Sequence, residues 1–84
     1  MTDPASWSFS AYFRTIRERP DRAAIAMEWI LRTASAPEHR RLQADGRLRC
    51  WRRIPEADGR WLRVILLEDG HTIHNAFFDR DFEP

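Results

Sequence analysis

Glycine is scarce in this chain, with three residues in 84, and cysteine occurs once. Three glycines cannot build a phosphate-cradling loop, and no P-loop, GxSxG or HExxH pattern occurs. Nucleotide-cofactor enzymes and the familiar hydrolases are therefore not expected. Cys50 has no partner for an internal disulfide or a CxxC metal site, so it reads as a small strand residue. His39, His71 and His74 lack a zinc-ligand spacing, and HTIH (71–74) is too short a separation to be specific. No cofactor and no metal are expected. Apolar runs fall well short of the roughly 18 residues of a membrane helix. The opening MTDPASWS lacks the basic-then-apolar order of a signal peptide, so a cytoplasmic protein without membrane contact is expected. Lysine is also missing, since all 14 basic residues are arginine. Arginine offers a planar fork suited to phosphate, although a GC-rich genome produces the same usage.

What is present is enough for a core. Apolar residues make up 43% of the chain, with four Trp and five Phe, which supports one domain near the lower size limit. The net charge of +1 hides an uneven spread. Residues 40–63 hold eight arginines against three acids, whereas residues 64–84 hold one arginine against five acids. A basic middle could meet phosphates, and an acidic end could partly screen it.

Along the chain, 1–8 reads as a loose lead-in, 10–35 as helical, 40–78 as sheet and 79–84 as an acidic tail. Tyr12, Phe13 and Ile16 have helical spacing, although Phe9, Ala11 and Phe13 also alternate as a strand would. A short helix capped by Ser10 is the preferred reading, ended by Pro20. Asp21 reads as the N-cap of a longer helix from Arg22 to about Ser35, with an apolar stripe through Ile25, Trp29, Ile30 and Thr33. Three strand-forming runs follow: RLRCWRRI (47–54), WLRVILLE (61–68) and HTIHNAFF (71–78). Arg40–Ala44 adds a polar edge strand. Asp45-Gly46 and Asp69-Gly70 read as two-residue hairpin turns, and PEADGR (55–60) as a longer one. The expected fold is α+β: two N-terminal helices packed on a three- to four-stranded antiparallel meander.

Period-two alternation then sorts the sheet into faces. A two-residue turn at 69–70 pairs Leu66 with Ile73, Val64 with Asn75 and Leu62 with Phe77, giving a core face. Leu48, Cys50 and Ile54 join it, while Arg49, Trp51, Arg53, Arg63 and His74 gather on the open face. Such a set can hold and cut RNA. His74 would act as general acid or base and Arg63 would stabilise the phosphorane charge. Arg49 and Arg53 would grip the strand while Trp51 stacks a base. The same residue types also serve simply to keep the outer face of a sheet soluble. In the tail, Asp79-Arg80 would anchor the chain by an ion pair back onto the sheet, with Phe77 and Phe82 plugging the core.

The phrases FSAYFRTIRERPD, WLRVILLEDG (61–70) and HNAFFDRDF (74–82), in this order, resemble small bacterial domains of the RelE-like and BrnT-like toxin superfamily. That resemblance implies two helices before a three- or four-stranded sheet, and ribonuclease activity neutralised by an antitoxin protein. Related domains often carry His where this chain has Tyr12. The two expectations are a toxin-like domain that binds or cleaves RNA, and a non-catalytic interaction domain. The latter would dock or homodimerise through an exposed patch of Trp51, Trp61 and Phe78.

Overall fold

The computed structural model describes residues 6–84, so most of the expected lead-in lies outside the described residues. In chain order the elements are β1 (Ser8–Phe9), α1 (Ala11–Ile16), α2 (Pro20–Ala23), α3 (Met27–Ser35) and β2 (His39–Leu42). β3 (Leu48–Ile54), a 3-10 turn (Pro55–Ala57), β4 (Arg60–Leu66) and β5 (Thr72–Phe78) complete the chain. The strands form one sheet in the order β1-β5-β4-β3-β2. β2 to β5 are the expected antiparallel meander, but β1 adds a fifth strand parallel to β5, pairing Ser8 with Thr72 and Phe9 with Ile73. The end of the expected lead-in is thus part of the sheet.

Three helices replace the expected two. Ser10 caps α1 as read, its hydroxyl accepting the Phe13 N–H at 3.1 Å. The second expected helix is broken. Pro20 stands in the first turn of α2, where its missing N–H costs nothing, and Asp21 lies inside that turn instead of capping it. Arg17 holds the break open. Its Nη1 donates to the carbonyls of Arg22 and Ile25 at 2.6 and 2.5 Å, satisfying acceptors that a continuous helix would have used internally. The break lets Ile25 drop into the core while α3 buries Ile30, Thr33 and Ala34.

Both DG turns are longer than read. Gln43 pairs with Arg47 around a three-residue loop in which Gly46 takes φ +90°, and a Cβ there would lie 2.8 Å from Glu68. Leu67 pairs with Thr72 across four residues, and Asp69 accepts from the N–H groups of His71 and Thr72.

Register departs from expectation at one place. Leu66 pairs with Ile73 as read, but Ile65 then pairs with Asn75, leaving His74 as an extra residue in β5. Beyond this bulge every side chain changes face. Val64 opposes Ala76 instead of Asn75, and Leu62 opposes Phe78 instead of Phe77. The core therefore joins Leu62, Val64, Leu66, Ile73, Ala76, Cys50 and Ile54 of the sheet to Phe13, Ile25 and Ile30 of the helical layer. Phe77 falls on the open face, so it does not plug the core.

None of the described helices is long and apolar enough to cross a membrane.

Two outcomes follow from this packing. Leu62→Ala, at a site with no solvent exposure, should cost about 2–5 kcal/mol in urea denaturation. Leu42→Ala, at a residue 68% exposed, should change stability by about 0.5 kcal/mol or less. The second concerns acid. The Arg32 guanidinium donates two hydrogen bonds to Glu56 and holds its carboxyl at about 2 instead of 4.5. The Thr72 hydroxyl, with the His71 N–H, holds Asp69 at about 2 instead of 3.8. Both carboxylates are charged more readily in the fold than in the open chain. Their contribution is complete above pH 4.5 and is lost as pH falls toward about 2. Arg32→Ala should flatten part of that loss in an acid titration followed by circular dichroism.

Candidate nucleic-acid interface

The helices cover one sheet face, and the other is clothed by arginines and rings. Cross-strand register puts Arg41 beside Arg49, Trp51 beside Arg63, and Arg53 beside Trp61. Four of the five residues read from sequence as the site, Arg49, Trp51, Arg53 and Arg63, thus lie on one face as expected.

His74 reaches the same region by a different route. As the bulge residue it leaves the ladder at the point where β1 ends and α1 begins, and Ser10 Oγ lies 2.8 Å from its Nδ1. The Tyr12 ring stacks on the imidazole at a centroid distance of 4.9 Å. Among the described residues Nε2 has no hydrogen-bond partner. Partial burial lowers the His74 pKa from 6.5, and the positive field of Arg47 lowers it further. Both effects favour the neutral form of the ring. His74 and Arg63 line one open cleft of about 500 Å³, together with Tyr12, Arg47, Asn75 and Phe77.

Arg63 is tightly placed. Its guanidinium stands over Trp51 at 5.6 Å and Phe77 at 5.2 Å, and Nη1 lies 3.5 Å from Asp79 Oδ2. Its buried Nε has no hydrogen-bond partner among the described residues. Arg49 flanks it: the Gln43 amide, with its oxygen turned inward, accepts from Nη2 and Nε at 2.7 and 2.8 Å. Arg53 lies farther along, over Trp61 at 4.9 Å. The guanidiniums of Arg63 and Arg53 rest on rings, which holds them without consuming their donors.

Trp51 lies on the expected face but is only 4% exposed, because the tail folds over it. Its Nε1 donates to Asp79 Oδ2 at 3.0 Å, and Phe82 stacks on it at 4.5 Å. The tail is anchored as read, by an ion pair back onto the sheet, made by Asp79 to Arg63 of β4. Burial pushes the Asp79 carboxyl up, but the Trp51 indole, the Asp81 N–H and Arg63 outweigh it and leave it below its ordinary range. The aromatic docking patch read from sequence is likewise not exposed. Trp51 is buried, Trp61 is half-covered, and Phe78 packs against the core because of the bulge. Among the described residues, the large hydrophobic residues that are exposed are Tyr12 and Leu42.

Sequence reasoning gave no site role to Tyr12, Arg47 or Arg41, and it read Phe82 as a core plug, whereas Phe82 stacks on Trp51 on the open face. Only the bulge brings Tyr12 to His74, and nothing in the pattern HTIHNAFF signals an extra residue there. Among the described residues no cluster of three or more His, Cys, Asp or Glu could hold a metal ion.

Compared with known proteins, the chain matches no family model, no curated protein and no solved structure. What stands is a two-layer α+β domain with an arginine-rich open face and a histidine at its edge.

Two measurements check the His74 environment. In an NMR titration its imidazole should protonate with a midpoint below 6.5, so the neutral form persists into mildly acidic solution. Ser10→Ala removes both the helix cap and the Nδ1 partner. It should cost about 1 kcal/mol of stability and change the His74 midpoint.

Proposed function

We propose that this domain is a toxin-type RNA-binding protein that cleaves its RNA at the His74–Arg63 cleft. One observation carries the reading: an imidazole whose Nε2 has no hydrogen-bond partner among the described residues and a guanidinium line the same open cleft. Base and charge stabiliser are the two groups that RNA self-cleavage needs.

In this mechanism His74 Nε2 takes the proton of a ribose 2′-hydroxyl. The 2′ oxygen attacks the adjacent phosphorus, and the bond to the 5′ oxygen breaks. A 2′,3′-cyclic phosphate and a free 5′-hydroxyl result, the departing oxygen taking its proton from solvent. Arg63 and Arg47 face the charge that grows on the phosphorane. Arg49 and Arg53, one on each side of Trp51 along β3, hold the flanking phosphates. Because imidazole acts as a base, cleavage should rise with pH through a midpoint below 6.5 and then level off. A cytoplasmic location is part of this proposal. The regulating partner would be an antitoxin acidic enough to cover Arg41, Arg49 and Arg53. The resemblance of 61–70 and 74–82 to RelE-like and BrnT-like domains supports the same reading.

The test is binding and cleavage of end-labelled RNA by wild type, Arg63→Ala and His74→Ala across a salt series. Wild-type affinity should fall steeply with salt, and Arg63→Ala should shallow the slope by about 0.7 for one lost phosphate contact. His74→Ala should keep binding while cleavage drops by roughly 10²–10⁴. No binding by wild type at low salt would overturn the proposal.

A further inference from the structure

The acidic tail has a position that the cleavage chemistry does not use. After Asp79 the chain turns back across the open face, and the Phe82 ring lies parallel to the Trp51 indole, 15° from coplanar at 4.5 Å. Trp61 and His39 meet the same ring at angles of 69° and 59°, at 5.1 and 5.4 Å. Phe82 thus fills an aromatic slot with a stacking floor and two steep walls. Beside the slot, Asp81 and Glu83 line a depression of about 380 Å³ shared with Arg41 and Arg49. A flat ring on an indole with anions among guanidiniums is the arrangement that a nucleotide presents.

From this geometry we infer that the tail occupies a base-stacking subsite for single-stranded RNA. Phe82 stands in for the base, and the tail carboxylates stand in for phosphates. The inference rests on the RNA-binding reading and adds to it the form of the substrate and a resident competitor. An unpaired base is required, because only an unstacked base can offer a face to Trp51.

The tail is fastened unevenly, which makes the competitor displaceable. Asp79 is firm: its N–H bonds the Trp61 carbonyl at 2.9 Å, and its carboxylate holds the Trp51 indole. Among the described residues Asp81 is tied only to Asp79, by its N–H to Oδ1 at 3.1 Å. Among the described residues, no hydrogen bond or ion pair fixes Phe82 or Glu83, so ring contacts alone retain Phe82. Arg41 and Arg49 likewise form no ion pair with the tail carboxylates beside them. RNA can take over the slot and both guanidiniums while the Asp79 anchor stays in place.

The experiment measures anisotropy of a labelled single-stranded oligouridylate, and of an RNA duplex of equal length, at one fixed low salt concentration. Wild type is compared with Phe82→Ala and Phe82→Trp, each shown to be folded by near-ultraviolet circular dichroism. Phe82→Ala should bind the single strand more tightly, on the order of tenfold, with little change for the duplex. Phe82→Trp, which stacks more strongly, should bind it no more tightly than wild type. Equal single-strand affinity for all three proteins would overturn the tail inference while leaving the RNA-binding reading intact. Weaker binding by Phe82→Ala would overturn it too, by making Phe82 part of the binding surface. Absence of binding by every protein would overturn both.

Discussion

Ile73 and Ala76 are an odd number of residues apart, yet both face the helices, and only the extra residue between them allows it. In a regular strand one of the two would face the other side. The bulge at His74 satisfies two demands at once. It keeps Ile73 against Leu66 and Ala76 against Val64 in the core, and it releases His74 from the ladder toward Ser10 and Tyr12. It also sends Phe77 outward to become a platform under Arg63 and Arg22. The most buried part of the fold and the most chemically promising part of the surface therefore depend on the same residue.

The second constraint is coverage. Three short helices can clothe one face of a five-stranded sheet, so the other face must be finished with side chains. This chain does it with guanidiniums laid on rings, which bury apolar surface while leaving charged edges in water. Arg22 extends the same device to the sheet edge. It donates to Asn75 Oδ1 at 2.7 Å and to the Ala76 carbonyl at 3.2 Å, covering β5 beyond the short reach of β1. The resulting face is basic and aromatic for reasons of packing, and those are also the properties that single-stranded nucleic acid recognises.

Much of this was legible in the sequence. The meander, the cap at Ser10, the polar edge strand and the shared face of Arg49, Trp51, Arg53 and Arg63 follow from period-two alternation and turn residues. What escaped had physical causes outside local pattern. The break at Ala24–Ala26 depends on Arg17 reaching carbonyls five and eight residues ahead, and alanine-rich sequence gives no sign of it. β1 is two residues long and exists because β5 offers it an edge. The bulge inserts a residue without glycine, and strand propensity cannot locate it. The fate of Trp51 was hidden because its cover, Phe82, lies 31 positions away in a tail that reads as polar.

The most direct test of the central claim, that RNA is engaged on the arginine face, is an NMR map of backbone and side-chain shifts on adding a single-stranded oligonucleotide. Perturbations should concentrate on the indole of Trp51, the imidazole of His74, the guanidiniums of Arg49 and Arg63, and the amides of residues 79–83. The amides of α3, on the opposite layer, should stay still. Shifts confined to the helical layer, or none at saturating RNA, would contradict it.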